Sequence, residues 1–404
     1  MRGSKILVIS YYFTPQLHTG AFRNMQFLRH FRDNGLNAVI LTNALTTTPT
    51  KILQAPERYA EFPVFRISTT PVYSLWKLLL RAFKKLLNTK DFINESYHAT
   101  DINPEWLQTA YKKAIELIKE YHCDTIYIAA PPFGTLLLGY WLKKATGCHL
   151  IIDLQEEHTD STPLQAQLEH RCLTECDALI VNSWSYWTHY SQKLNKEKVF
   201  LIFDGYDDIF RLSNESSQHI VFTLFYMGTW DALRSPQKLL ASLQRCQFPW
   251  RLISVGSTNH ILNEQALRYH VHEHLTCVPS LAREELLPYL QQAHLLFITR
   301  ELPNGAQWDK QISNKIFNYL ATGKPILAQV PLGDTYDFLQ KYARQTALIL
   351  PDEIDGLYNS LQSYYHYWQA GNLHKDNNPD FLQLFDGKTI TRKLSTVFQM
   401  LQQG

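Results

Sequence analysis

The sequence predicts an α/β chain built from two doubly wound parallel-sheet domains. Three observations carry this. Short apolar runs recur along the chain, and most are followed by a segment with helical periodicity, the alternation that builds parallel sheets. The first run, 5–10, is followed by a loop bearing a glycine, a helix and a second apolar run, the outline of a βαβ unit. The chain has 404 residues, more than one core usually serves, so two such series are expected.

Taken in order, 5–10 reads as a buried strand and 11–19 as a loop at the carboxyl edge of its sheet, where open α/β sheets take ligands. Gly20 opens a helix that turns Phe22, Phe27, Leu28 and Phe31 to the core and ends at Asn34-Gly35, and Arg23 stands one turn into it, near the same edge, as a candidate substrate-binding residue. Strands follow at 38–42 and 64–68. The stretch 75–88, LWKLLLRAFKKLLN, gathers Leu75, Leu78, Leu79, Ala82, Phe83, Leu86 and Leu87 on one helical face with Trp76. Lys77, Arg81, Lys84 and Lys85 occupy the opposite face. Such a helix either packs on the domain with its basic face in water or lies on an anionic membrane surface.

Helices at 105–121, 133–146 and 164–175, and one after Ser183, alternate with strands at 125–129, 149–153, 178–181 and 198–203. Residues 204–208, DGYDD, read as an interdomain turn. The second series has strands at 220–227, 251–255, 275–278, 294–299 and 347–350, with helices at 236–246 and 284–291. The expected domains are therefore 1–205 and 206–387, with a last helix at 388–404 returning to the first. Two doubly wound domains facing each other place their ligand in the cleft at the strand carboxyl ends.

The most informative stretch is 311–329, QISNKIFNYLATGKPILAQ. Ser313 is placed to cap a short helix, Gly323 to close it, and 325–328 to form a buried strand. Ile316 and Leu320 share a core-facing stripe, whereas Lys315 and Asn318 stand a turn apart on another face. A cation near a helix N-terminus with a hydrogen-bonding side chain a turn later suits a nucleoside diphosphate: Lys315 for phosphate, Asn318 for a ribose hydroxyl. The bland reading is a surface lysine and a solvated asparagine.

Composition excludes several classes. Hydrophobic residues make up 45% and charged residues 19%, as in a globular protein, and the formal net charge of +2 does not suggest nucleic acid. The six cysteines are scattered without a zinc spacing, so they are read as reduced thiols of a cytoplasmic protein. No apolar stretch is long enough to span a membrane, and the first apolar run is too short for a signal peptide. No D-x-D metal motif stands on a loop after a strand, so no metal or other cofactor is expected.

Several segments, in order, resemble one family: the GT-B glycosyltransferases that transfer sugar with retention from nucleotide-sugars, especially the bacterial cell-surface polysaccharide branch. KILVISYYFTPQLHTGAFRN resembles its first strand and glycine loop, LIIDLQEEHTD its D-L-R-D-x-W segment, and VNSWSYW with DGYDD its serine-led helix and hinge. YMGTWDALRSPQKLL resembles the donor loop G-R-x-x-x-x-K-G, and NKIFNYLATGKPILA the segment K-x-x-E-Y-x-x-x-G-K-P. The resemblance covers essentially the whole chain, and the last segment is its most specific part.

The departures are local. The donor-loop Arg falls on Thr229, after Gly228, and the Lys on Arg234; the ribose-gripping Glu falls on Asn318. The carboxylate eight residues before it falls on Lys310, with Asp309 adjacent and Glu301 near. The Arg of D-L-R-D falls on Gln155, while Glu156 keeps the acid, and the double Gly of the first loop is reduced to Thr19-Gly20. The resemblance implies a glycosyltransferase in which Arg234 and Lys315 neutralise the diphosphate, Gly20 permits close approach, and Glu156 or His158 handles an acceptor hydroxyl. The acceptor it implies is a glycan, lipid-linked or other surface polysaccharide. Two further readings stand beside it: an inert relative serving as a binding or partner subunit, and an epimerase or phosphorylase on the same fold.

Overall fold

The computed structural model describes residues 5–15, 19–44, 62–67, 92, 95–98, 101–158, 161–212, 220–353 and 355–403. The amphipathic stretch 75–88 lies outside them. The chain divides into two compact units, Met1–Phe203 with Ile390–Gly404, and Asp204–Thr389.

The first unit is a seven-stranded sheet in the order β3-β2-β1-β4-β5-β6-β7. Its strands are β1 (Lys5–Ile9), β2 (Asn37–Asn43), β3 (Val64–Ile67), β4 (Thr125–Ala130), β5 (His149–Leu154), β6 (Ala178–Val181) and β7 (Val199–Leu201), all paired in parallel. Runs such as KILVI and TIYIAA show no polar alternation because helices cover both sheet faces.

The helices Pro104–Tyr121, Gly134–Thr146, Pro163–Glu175 and Trp184–Lys193 start and stop where the sequence supplies caps. The Asn103 side chain accepts from Glu105 N–H, Thr162 and Gln165 form a capping box, Ser183 accepts from Tyr186 N–H, and Gly147 closes its helix in the left-handed region. The last helix, Gly387–Gln403, buries Ile390, Leu394, Val397 and Phe398, which share one face. The Phe398 ring meets Phe31 at 6.0 Å and Tyr127 at 6.2 Å, which ties this helix to the first unit.

The second unit is a six-stranded parallel sheet in the order β10-β9-β8-β11-β12-β13. Here β8 is Phe222–Met227, β9 Trp250–Val255, β10 Leu275–Val278, β11 Leu295–Thr299, β12 Ile326–Gln329 and β13 Thr346–Ile349. Four helices absent from the sequence reading lie here: Asn259–Arg268, Asp334–Tyr342, Gly356–Gln369 and Pro379–Leu384. Their patterns are weak for a physical reason. Asn259–Arg268 buries only Leu262 and Ala266, and Asp334–Tyr342 buries two polar residues, Asp334 and Thr335, at its start.

In each sheet the order reverses between two adjacent strands, β1 and β4 in one and β8 and β11 in the other. The crevice beyond the carboxyl ends at such a switch is where doubly wound sheets bind ligands.

Candidate functional site

At the switch of the second unit, β8 ends at Met227 and Gly228 turns the chain at φ +137°, a conformation that side chains disfavour. A Cβ on Gly228 would stand 3.1 Å from Lys315 Nζ, and one on Gly256, just past β9, would stand 2.0 Å from the Gly228 carbonyl oxygen. Two glycines therefore let backbone and amine approach closely.

The loop that follows is pinned. The Tyr226 hydroxyl donates to the Thr229 carbonyl at 2.8 Å, and the Met227 N–H donates to the Tyr319 hydroxyl at 2.9 Å. Trp230 stacks on Tyr226 at 3.8 Å, its N–H donates to the Thr258 hydroxyl at 2.6 Å, and its indole N–H donates to Ser254 Oγ at 2.9 Å.

Lys315 enters from the first turn of the helix Asn314–Thr322, whose other residues from Ile316 onward are buried. The residue is half-buried as a whole, but Nζ itself is enclosed, 4.2 Å from the Tyr226 ring centroid, and makes no hydrogen bond. Burial pulls its ammonium down to about 7; Arg234 and Arg300 push the same way, while Asp231 opposes them. An ammonium removed from water without hydrogen bonds is strongly unfavourable unless something else provides acceptors.

The two arginines are already matched to carboxylates. Arg300, immediately after β11, donates through Nε to Asp309 Oδ1 at 2.9 Å and through Nη2 to Gln311 Oε1 at 2.8 Å. Asp309 is 1% exposed, and burial raises its carboxyl against the pull of Arg300. Arg234 donates to Asp231 Oδ2 through Nε at 3.0 Å and Nη2 at 2.5 Å. Burial would raise Asp231, but the hydrogen bonds and charge of Arg234 outweigh it and the carboxyl is lowered. Lys315 has no such carboxylate among the described residues.

The site thus brings together Gly228, Thr229, Arg234, Lys315 and, through Arg300, Asp309. Asn318 is 5% exposed, and its Oδ1 accepts the Asp207 N–H at 3.2 Å. It is a buried link to the 204–208 segment rather than a solvated side chain. Glu301 is held by Lys238 at 2.5 Å. Sequence reasoning missed Tyr226, Asp231 and Arg300. An arginine directly after an apolar strand, and an acid three residues before a loop arginine, were the available signals.

The first unit places its expected residues differently. Gly20 lies in the helix Thr19–Leu28, where its carbonyl accepts from Asn24 at 3.3 Å; Asn24 also donates to Ser10 Oγ at 2.9 Å. Arg23 is 1% exposed, donating to Asp153 Oδ2 at 2.8 Å and to the Ile202 carbonyl at 2.7 Å, and the Tyr127 hydroxyl donates to the same carboxylate oxygen at 2.6 Å. Glu156 is exposed on the loop after β5. His158 lies face to face with Phe133 at 4.2 Å, its Nδ1 3.4 Å from Glu169 Oε2. Burial raises the Glu169 carboxyl, opposed by His158.

Among the described residues no group of three His, Cys, Asp or Glu side chains stands where it could hold a metal ion. No described helix is long and apolar enough to cross a membrane.

No protein-family model matches the chain, and no curated protein matches it. Solved structures do. HepE of Anabaena, in complex with UDP-glucose, superposes with a TM-score of 0.71 at 16% identity over 99% of this chain and 100% of that one. Sucrose-phosphate synthase of Thermosynechococcus elongatus gives 0.69 at 15% identity, covering 99% of each chain. A glycosyltransferase from Rickettsia africae ESF-5 gives 0.68 at 11% over the full length of both. At these identities the likeness shows the fold, and that fold is GT-B.

Proposed function

We propose that the chain is a glycosyltransferase drawing a sugar from a nucleotide-diphosphate-sugar held in its second unit. The observation that carries this is the Lys315 amine, enclosed and without a hydrogen bond beside the glycine turn at the carboxyl end of β8. A diphosphate supplies the acceptors that this amine lacks. As the bond from the anomeric carbon to the diphosphate oxygen breaks, negative charge grows on that oxygen, and Lys315 and Arg234 are placed to stabilise it. The Gly228–Thr229 backbone lets the phosphates approach, and Asn318 offers its amide nitrogen to the ribose. That HepE is solved with UDP-glucose supports a nucleotide-sugar donor.

The finer parts of the proposal rest on the sequence resemblance. Transfer proceeds with retention and without a metal ion, and the acceptor is a glycan, lipid-linked or other surface polysaccharide. The acceptor meets the first unit around Glu156 and His158. The enzyme works in the cytoplasm, with reversible contact at the inner membrane face through 75–88, whose basic face favours anionic lipid.

A thermal-shift panel of nucleoside diphosphates, followed by product analysis with the matching nucleotide-sugars, tests the reading, since a ligand bound to the native state raises its stability. A diphosphate that stabilises the chain and a sugar transferred from its conjugate are expected. Stabilisation with no transfer to any glycan acceptor would leave a binding subunit instead.

A further inference from the structure

We infer that Asp231 is a positioning residue of the diphosphate site: it fixes the Arg234 guanidinium and supplies the counter-charge that lets Lys315 stand near it with no anion bound. This rests on the function proposed above and adds a residue to it.

The geometry is that of a closed clasp. Asp231 Oδ1 accepts the N–H groups of Leu233 at 3.0 Å and Arg234 at 2.9 Å, so one oxygen fixes the turn. Oδ2 accepts Nε and Nη2 of Arg234, so the other oxygen fixes the guanidinium. The two backbones also pair, with Asp231 N–H donating to Arg234 O and the reverse. Four-point holding of a loop arginine removes side-chain freedom that a ligand would otherwise have to restrict on binding. Nothing in the fold demands this, because the pair is about one-third exposed and such pairs add little to stability.

The second role is electrostatic. The charged and titratable groups facing Lys315 Nζ are Arg234 and Asp231 from the loop after β8, Arg300 just after β11, and the Tyr226 ring. Both arginines disfavour the charged lysine, and Asp231 is the carboxylate that favours it. Without that carboxylate Lys315 would take up its proton only at lower pH.

These roles make opposite predictions from a simple charge argument, which gives the test. Neutralising an acid in an anion site should strengthen anion binding if the acid merely dilutes positive charge. If it positions Arg234, binding should weaken. UDP is titrated calorimetrically into the full chain and its Asp231→Asn variant between pH 7 and 9, above the second ionisation of a phosphate at about 6. We expect about tenfold weaker binding for Asp231→Asn. The pH above which affinity falls should also move down, which a merely structural residue would not cause.

Arg234→Ala provides the control for mechanism. In that background Asp231→Asn should cost only a small part of the tenfold, because the guanidinium it positions is gone and only its charge beside Lys315 and its bond to Leu233 N–H remain to be lost. Unaltered or tighter UDP binding by Asp231→Asn with an unmoved pH profile would overturn the inference alone. Absence of binding by the unaltered chain to UDP and every other nucleoside diphosphate would overturn the proposed function itself. Circular dichroism and melting of each variant separate these outcomes from misfolding. If Asp231→Asn unfolds, the Arg234→Lys variant, which keeps the charge but cannot fill both bonds to Oδ2, carries the same expectation.

Discussion

The two units each bury a cation near the carboxyl edge of their sheet, and they treat it in opposite ways. Arg23 in the first unit is fully matched, with Asp153 at 2.8 Å and the Ile202 carbonyl at 2.7 Å. Lys315 in the second has an aromatic face and no hydrogen bond. A buried cation with an internal carboxylate fastens one element to another. One without acceptors is costly to the fold, and its cost is offset only when a ligand brings them. The contrast sets an arginine matched inside the fold against a lysine that we propose binds the donor, although both stand near the starts of their helices.

Breaking the first cation's pairing should have the largest effect on the fold. Asp153→Ala leaves Arg23 buried without its carboxylate and removes the Tyr127 acceptor, so urea unfolding should show a loss of about 3–5 kcal/mol. A loss within error would mean that Arg23 turns outward and is not the structural member of the comparison.

The second cation should behave in reverse. Lys315→Met is expected to weaken nucleoside-diphosphate binding about tenfold to a hundredfold while leaving the protein as stable or more so. The pH dependence carries a definite sign. The folded-state value, about 7, lies below the ordinary 10.5, so between those values the unfolded chain holds a proton that the folded site lacks. Stability attached to this group is therefore present above 10.5 and lost as pH falls through 7. The melting-temperature gain of Lys315→Met should be larger at pH 6 than at pH 9. A gain that is equal at both pH values would place the amine in water.

Arg234→Ala sharpens the comparison within the site. It should lower turnover about a hundredfold, yet shift stability by less than about 1 kcal/mol, because the Arg234–Asp231 pair is partly exposed. Smallest is Gly228→Ala, which needs φ +137° and puts a methyl 3.1 Å from Lys315 Nζ. It should weaken diphosphate binding several-fold and cost about 1 kcal/mol in a denaturant titration. Normal affinity in that variant would show that the backbone approach is not used.

The alternation of apolar runs made the two parallel sheets legible, since strands such as LLFIT and ILAQ have no other reading beside their helices. Lys315 was legible as a candidate because of where it stands in its segment. What periodicity could not show was depth: Lys315 and Asn318 lie on a different helical face from Ile316 and Leu320, yet that face is also covered, by Tyr226 and the 204–208 segment. The pairing of Arg23 could not be read from the sequence, because Asp153, its partner, is 130 residues away and sits inside a strand. Pairings at that distance leave no local trace. Asp231 left one, three residues before Arg234, but its four bonds form only in the folded loop.

The central claim, that the Lys315 amine awaits a diphosphate, is tested most directly by titrating UDP into the protein at pH 7.5 in two buffers of different ionisation enthalpy. An amine near neutrality that becomes a paired ammonium must take up a proton on binding, so the observed heat should differ between buffers in the sense of proton uptake. Lys315→Met should lose that difference together with most of the affinity. Full-strength UDP binding by Lys315→Met, with the same heat in both buffers for either protein, would contradict the account.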